Sequence, residues 1–483
     1  MEKIDDVAVI KKKTVISTLS LFFQSGYSAF LGLVTNLVLT ILLSPAIFGI
    51  YIATLSIISI FNYFSDIGLA ASLIQKKEID RNDEKTAFTV QQLLIIVLVT
   101  FGFTLTKFIQ NFYRLPSQGT FLYHALLIGF FLSSLKTLPS IFLERKIQFQ
   151  KIVLVQIIEN TCFYLTVIIL AILGWGLNSF SFAVIVRSII GVIIIYILSP
   201  WKPGIGFSLP SFKKLVSFGL PFQTTSLLAL VKDDLMTLYL GKVLGFQFLG
   251  YIGWAKKWAE APIRIVMDSI SRVLFPLFSR LQQEKEKLAH LVEKTIFYQS
   301  LFIVPAIFGL ALTMDKLIQI VPKYLRWQPA LPLFYLFCLS ALFSSYSTPF
   351  INLLNGLGQV KISFYFMIFW TTFTWILTPL LTKNYSLYGF PFTLIIISST
   401  FLLVIQQTKK YLQFAVIKNV FPPLISSCLM AATTYLSFQL PFSLILTLFI
   451  AILIGIITYG LALFLIFKIN LFQEIKLLLN KND

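Results

Sequence analysis

From Thr14 to Ser65 the chain carries no charged side chain. Wound as one helix at about 1.5 Å per residue, that run would be more than twice the roughly 30 Å depth of a bilayer's hydrocarbon core. It therefore has to turn back, and "LLSPAIFG" (42–49) places a proline and a glycine where the reversal is needed. The rest of the chain has the same character. Of 483 residues, 57% are hydrophobic and only 12% charged, against about a quarter charged in an ordinary globular domain. An integral membrane protein follows. Lys11-Lys12-Lys13 stand before the first apolar run as they would in a signal peptide. That run is too long for one and further runs follow, so it reads as a retained first helix.

Apolar runs of spanning length fall near 15–41, 46–71, 87–106, 121–143, 152–173, 177–199, 214–240, 247–278, 292–313, 329–354, 362–382, 386–408, 420–438 and 441–467. These make fourteen expected transmembrane helices in an all-α protein. Short loops leave no room for a soluble domain. With the N-terminus placed inside, 25 Lys and Arg fall in loops and tails on that side, seven on the opposite side and seven within spans. Such a bias puts both termini in the cytoplasm. It also assigns most of the net charge of +19 to a face beside anionic lipid rather than to nucleic acid. Trp175, Trp201 and Trp327 fall at span ends, as interfacial anchors would. Cys162, Cys338 and Cys428 are isolated in apolar runs and read as small buried hydrophobes; His124 and His290 are too far apart in sequence to suggest a metal or catalytic pair.

"LLSPAIFGIY" (42–51) echoes "VLGFQFLGYI" (243–252) at an offset of 201, with Leu43 matching Leu244 and Gly49 matching Gly250. Each lies at the turn after the first helix of a six-helix block. An even number of spans per block makes the two repeats parallel, related by an axis along the membrane normal. The expected plan is a bundle over 1–198, a basic Pro- and Gly-bearing cytoplasmic linker over 199–214, and a second bundle over 215–410. Two additional helices over 411–467 and a tail over 468–483 complete it, with Phe472, Ile475 and Leu479 on one amphipathic face.

One segment resists the apolar pattern. "WAKKWAEAPIRIVMDSISRVLF" (254–275) carries Lys256, Lys257, Glu260, Arg264, Asp268 and Arg272, which occupy an arc of about 160° on a helix. A charge facing lipid near the bilayer centre costs roughly 2.5–3.5 kcal/mol, so this face must look onto protein or water. Residues four apart could pair along the stripe and make it a rigid packing element, or the segment could lie on the membrane surface. A hydrated cationic cavity is favoured because other spans contribute charges: Lys136, Glu159, Arg187, Lys232, Asp233 and Asp234. Lys256, Lys257, Arg264, Arg272, Arg187 and Lys232 would then bind an anionic head group, since Arg and Lys match phosphates. Asp66, Glu159, Asp233, Asp234, Glu260 and Asp268 are either charge partners or sites for a coupling H⁺ or Na⁺. No other cofactor or metal is expected.

These residues carry a resemblance. Leu43-Ser44-Pro45, Phe48-Gly49-Ile50-Tyr51 and Asp66-Ile67-Gly68-Leu69 are similar to the first-hairpin signature of bacterial polysaccharide flippases. "LGKVLGFQFLGYIGWAKKWAEAP" (240–262), "PKYLRWQPALPLFYLFCLSAL" (322–342) and "NGLGQVKISF" (355–364) resemble motifs of their second half. The chain thus looks like the lipopolysaccharide, exopolysaccharide and teichuronic-acid exporter branch of the multidrug/oligosaccharidyl-lipid/polysaccharide exporter superfamily. The resemblance implies two six-helix bundles forming a V-shaped cavity, plus two C-terminal helices. It implies alternating access that moves a polyprenyl-diphosphate-linked oligosaccharide to the outer leaflet of the bacterial cytoplasmic membrane. Glycosyltransferases and a polysaccharide polymerase would be partners, and Arg264 and Arg272 would hold the diphosphate. A cation-coupled drug exporter or peptidoglycan-precursor exporter of the same superfamily is the alternative. A membrane glycosyltransferase or polymerase is more remote, because the outer loops near 107–120 and 314–328 are short and hold one acid, Asp315.

Overall fold

The computed structural model describes residues 7–65, 68–76, 78–470 and 474. Asp66, Phe472, Ile475, Leu479 and the side chains of Asp268 and Arg272 lie outside the described residues. Among the described residues there is helix and no strand, in two compact units over 1–250 and 251–483.

The first unit holds α1 (Val7–Leu42), α2 (Pro45–Ser65), α3 (Leu69–Gln75), α4 (Arg81–Thr104), α5 (Thr106–Tyr113) and α6 (Ser117–Ser134). It continues with α7 (Thr137–Arg145), α8 (Phe149–Ile172), α9 (Asn178–Leu198), α10 (Leu209–Leu230) and α11 (Met236–Leu244). Pro45 opens α2 at the first helical position, where its missing N–H would have had no partner anyway. Gly68 turns the chain into α3 at a φ of 79°, which an L side chain rarely adopts. A reciprocal cap starts α4: the Asp83 N–H donates to Asp80 Oδ1 (2.6 Å) and the Asp80 N–H to Asp83 Oδ2 (3.1 Å). The linker after α9 is tied to α4, with the Gly206 and Ser208 N–H groups donating to Thr89 Oγ1 and Thr86 Oγ1 (3.0 and 2.9 Å). The first unit therefore extends past the linker, through helices that the sequence plan assigns to the second half.

The start of α12 (Phe246–Arg280) also belongs to this unit as far as Gly250. There the two echoing sequence segments meet. A Cβ on Gly49 would overlap the Phe246 carbonyl, and a Cβ on Gly250 would overlap the Pro45 carbonyl. Pro45 and Phe246 are separated by the same 201 positions as Gly49 and Gly250, so the contact is reciprocal. Gly26 in α1 has open space around it. Gly26→Ala should therefore leave stability level or raise it by about 0.5–1 kcal/mol. Gly49→Ala should lower it by about 1–3 kcal/mol by forcing the backbones apart. Thermal unfolding of the detergent-solubilised variants separates the two.

The second unit runs from Tyr251 of α12 through α13 (Lys285–Ile320), a 3₁₀ segment Pro322–Ala330, α14 (Leu331–Gly356) and α15 (Val360–Tyr385). It ends with α16 (Gly389–Ser399), α17 (Phe401–Lys409), α18 (Ile417–Ser437) and α19 (Leu444–Phe467). Among the described residues ten helical stretches are long and apolar enough to cross a bilayer, or eleven if the bent α6–α7 pair is one span. The expected fourteen differs from this for two physical reasons. Val360–Lys409 is a single 50-residue stretch that holds two expected spans, and it has the length of two crossings. The seventh and eighth expected spans are absent from the count: a π turn parts α10 from the short α11, and α12 carries Lys256, Lys257, Glu260, Arg264, Asp268 and Arg272.

Two smaller expectations are corrected. Trp327 is not an interfacial anchor but wholly buried, as are Tyr324 and Ala330 beside it. Of the three cysteines Cys338 is buried, whereas Cys162 is half-buried and Cys428 exposed on α18.

Candidate functional site

In the first unit, a neutralised pair joins α8 to the bend between α6 and α7, and an arginine stands in the middle of α9. α6 and α7 meet at a 40° bend, and Lys136 lies in the break. Its ammonium donates to Glu159 Oε1 of α8, and the two side chains are 18% and 5% exposed. Tyr196 takes up the Leu135 carbonyl freed at the bend (3.2 Å). Gly191 of α9 makes room for the carboxylate, since a Cβ there would overlap Glu159 Oε1. Glu159, a candidate for ion coupling or for charge pairing, is thus engaged by Lys136.

Arg187 is one turn before Gly191 on α9, and Phe163 is one turn after Glu159 on α8. The guanidinium lies 5.9 Å from the Phe163 ring centroid. It is exposed, and among the described residues it has no carboxylate partner. Tyr51, the tyrosine of the F-G-x-Y motif, stacks on Phe180 of α9 with centroids 4.1 Å apart and so packs α2 against α9. An arginine in mid-span is tolerated where water or an anion reaches it.

Between α10 and α11 the helix widens into a π turn, Val231–Leu235. Such insertions recur at functional sites. Lys232 Nζ is 3.9 Å from Asp233 Oδ1, a loose pairing. Asp233 and Asp234 face Ser59, Asn62 and Tyr63 of α2 across a cavity of about 360 Å³. Sequence periodicity at 3.6 residues has no means of locating such a widened turn.

The second unit contributes α12. Trp254 is buried near its N-terminal end, with Nε1 donating to Tyr324 Oη (3.1 Å) and its ring stacked on Trp327 at 5.6 Å. This anchor sets the rotation of the helix. Two residues on, about 200° around it, the charged face begins. Glu260 is bracketed: Oε1 is 3.8 Å from Lys256 Nζ and Oε2 accepts from Arg264 Nη2 at 3.1 Å. Lys256 also lies 5.8 Å from the Phe390 ring centroid of α16, and Lys257 is exposed. Lys256 and Arg264 therefore share the Glu260 carboxylate. The Arg264 side chain is 64% exposed. An exposed pair of this spacing contributes only about 0.3–0.5 kcal/mol, far less than the cost of a charge facing lipid. The face suits an anion or water.

Lys136 as the partner of Glu159, Gly191 as its recess and Tyr324 as the anchor of Trp254 are functional supports that reading the sequence missed.

A chain with ten or eleven helical stretches of bilayer length among its described residues is a multi-pass membrane protein. Its fold is that of the lipid II flippase MurJ in an inward closed conformation, with a TM-score of 0.73 over 94% of this chain and 99% of that one at 16% identity. An inward-facing multidrug resistance MATE family transporter matches with a TM-score of 0.57 over 81% and 95% at 15% identity. Residues 38–329 match the model of the family described as polysaccharide biosynthesis protein, and the chain belongs to that family. It is 28% identical over 355 residues to lipopolysaccharide biosynthesis protein WzxC of Escherichia coli (strain K12), covering 71% of this chain and 69% of that one. It is 22% identical over 362 residues to succinoglycan biosynthesis transport protein ExoT of Rhizobium meliloti (strain 1021), covering 74% and 72%. The protein is a transporter of polysaccharide biosynthesis rather than an enzyme of it.

Proposed function

We propose that the protein is an alternating-access flippase. It carries a polyprenyl-diphosphate-linked oligosaccharide across the bacterial cytoplasmic membrane for cell-surface polysaccharide synthesis, with both termini in the cytoplasm. The observation that carries the substrate class is the α12 face, where Lys256, Lys257 and Arg264 outnumber Glu260 within a span. A diphosphate fits such a face because guanidinium and ammonium groups bind phosphate oxygens with charge-assisted hydrogen bonds. In this proposal Arg264 and Arg272 hold the diphosphate, and Arg187 and Lys232 offer further cationic contacts. Asp233 and Asp234 are the favoured acids for a coupling H⁺ or Na⁺, since they border a cavity; Asp66 and Asp268 remain candidates by sequence. Glycosyltransferases supply the substrate, and a polymerase consumes it.

In the native host lacking the gene, lipid-linked oligosaccharide should accumulate in the inner leaflet and surface polysaccharide should be lost. The intact protein restores both. Arg264→Ala and Arg272→Ala should restore neither at unchanged membrane abundance, because each lost hydrogen bond to a charged group weakens binding by about 1.5–3 kcal/mol, roughly tenfold or more. Normal export by both variants removes the diphosphate role.

A further inference from the structure

The second unit contains a groove that the transport proposal leaves unused. α18 packs along α13 and α19 and diverges from α14 and α17. The half-open space left behind measures about 490 Å³. Its wall is made by Phe343 and Tyr346 of α14, Phe401 and Ile405 of α17, and Val420 and Phe421 of α18. The Tyr346 hydroxyl is already hydrogen-bonded to Ser300 Oγ (2.9 Å), so the wall is in effect apolar. Lys409, the last residue of α17, lines it too and is the one charged side chain among the described lining residues.

Lys409 is held firmly. The turn that follows buries Leu412 and Phe414 in the unit's core, and its Ala415 N–H donates to Glu293 Oε1 (2.6 Å). Lys409 Nζ is 5.8 Å from the Phe414 ring centroid. Lys410 and Lys418 on either side of this turn are exposed. The groove thus borders a basic turn and is apolar except at Lys409.

We propose that this groove binds one phospholipid with an anionic headgroup, its acyl chain along the aromatic wall and its phosphate at Lys409. An acyl chain gains little on leaving a bilayer for an equally apolar surface. Selection therefore rests on the headgroup. A lysine near the membrane surface favours an anionic lipid over a zwitterionic one by roughly fivefold. The bound lipid fills the seam between α18 and the rest of its unit. This site does not depend on the substrate proposed above, because all of its residues lie in α13, α14, α17, α18 and the turn between the last two.

Native mass spectrometry of the full-length protein in detergent tests it, with phosphatidylglycerol and phosphatidylethanolamine of identical chains added in turn. One phosphatidylglycerol should be retained several-fold more than phosphatidylethanolamine. Lys409→Gln should bring the two level, Lys409→Arg should keep the preference, and Val420→Trp, which fills the groove, should suppress retention of both. Lys361→Gln, at the start of α15, should change nothing. Melting temperature and monodispersity identify any variant that fails to fold, and Lys409→Arg and Val420→Trp then decide between them. Undiminished phosphatidylglycerol retention in folded Lys409→Gln or Val420→Trp overturns the site. So does its displacement by an equimolar polyprenyl phosphate, which would give the groove to the substrate's tail.

Discussion

Lys136→Met is expected to cost about 3–5 kcal/mol of stability, because it leaves a nearly buried carboxylate without its cation. Glu159 has its side chain 5% exposed, with Lys136 on one side and the bare backbone of Gly191 on the other. Water has little access, so nothing replaces the lost ammonium. The unfolding midpoint of the solubilised protein should fall by on the order of 10 °C. Removing both charges is a different experiment: Lys136→Met with Glu159→Gln leaves no stranded ion, and most of the loss should be recovered. A single variant that melts like the parent would show that this pair does not carry the stability assigned to it.

Arg187→Ala should give the opposite pair of results. The side chain is exposed, touches the Phe163 ring and has no carboxylate among the described residues. Its removal leaves no buried partner behind, so stability should change by no more than about 0.5 kcal/mol. Export should nonetheless drop about tenfold or more, the worth of a charge-assisted hydrogen bond to the substrate. Arg187→Lys keeps the charge but loses the planar fork, and should recover part of the activity. Export at the parental level in Arg187→Ala would remove this residue from the transport pathway. Together the variants distinguish charges that hold helices in place from charges available to an anion.

Local spacing accounts for what could be read in advance about α12. Lys256, Glu260 and Arg264 are four apart, and both predicted pairs among them form. The same spacing left their orientation open. Trp254 settles it through Tyr324 and Trp327, about seventy positions further along the chain. Trp327 was misplaced at the membrane interface for the same reason: its position at a span end is local information, whereas its burial depends on which helix packs over it. The π turn at Val231–Leu235 escaped because an extra residue in one turn leaves the apolar composition around it unchanged.

By itself the sequence determined that this is a helical membrane protein. It also located the ten or eleven described stretches that are long and apolar enough to span. Those properties depend on composition and on a period of 3.6 residues, and both are local. Tertiary structure alone decided that Lys136 neutralises Glu159 from 23 residues away, that Gly49 meets Gly250, and that α18 stands off from α17 to leave a groove. Which side chains face each other across two helices depends on their relative rotation and register. Packing of the whole unit sets these, and no single helix encodes them.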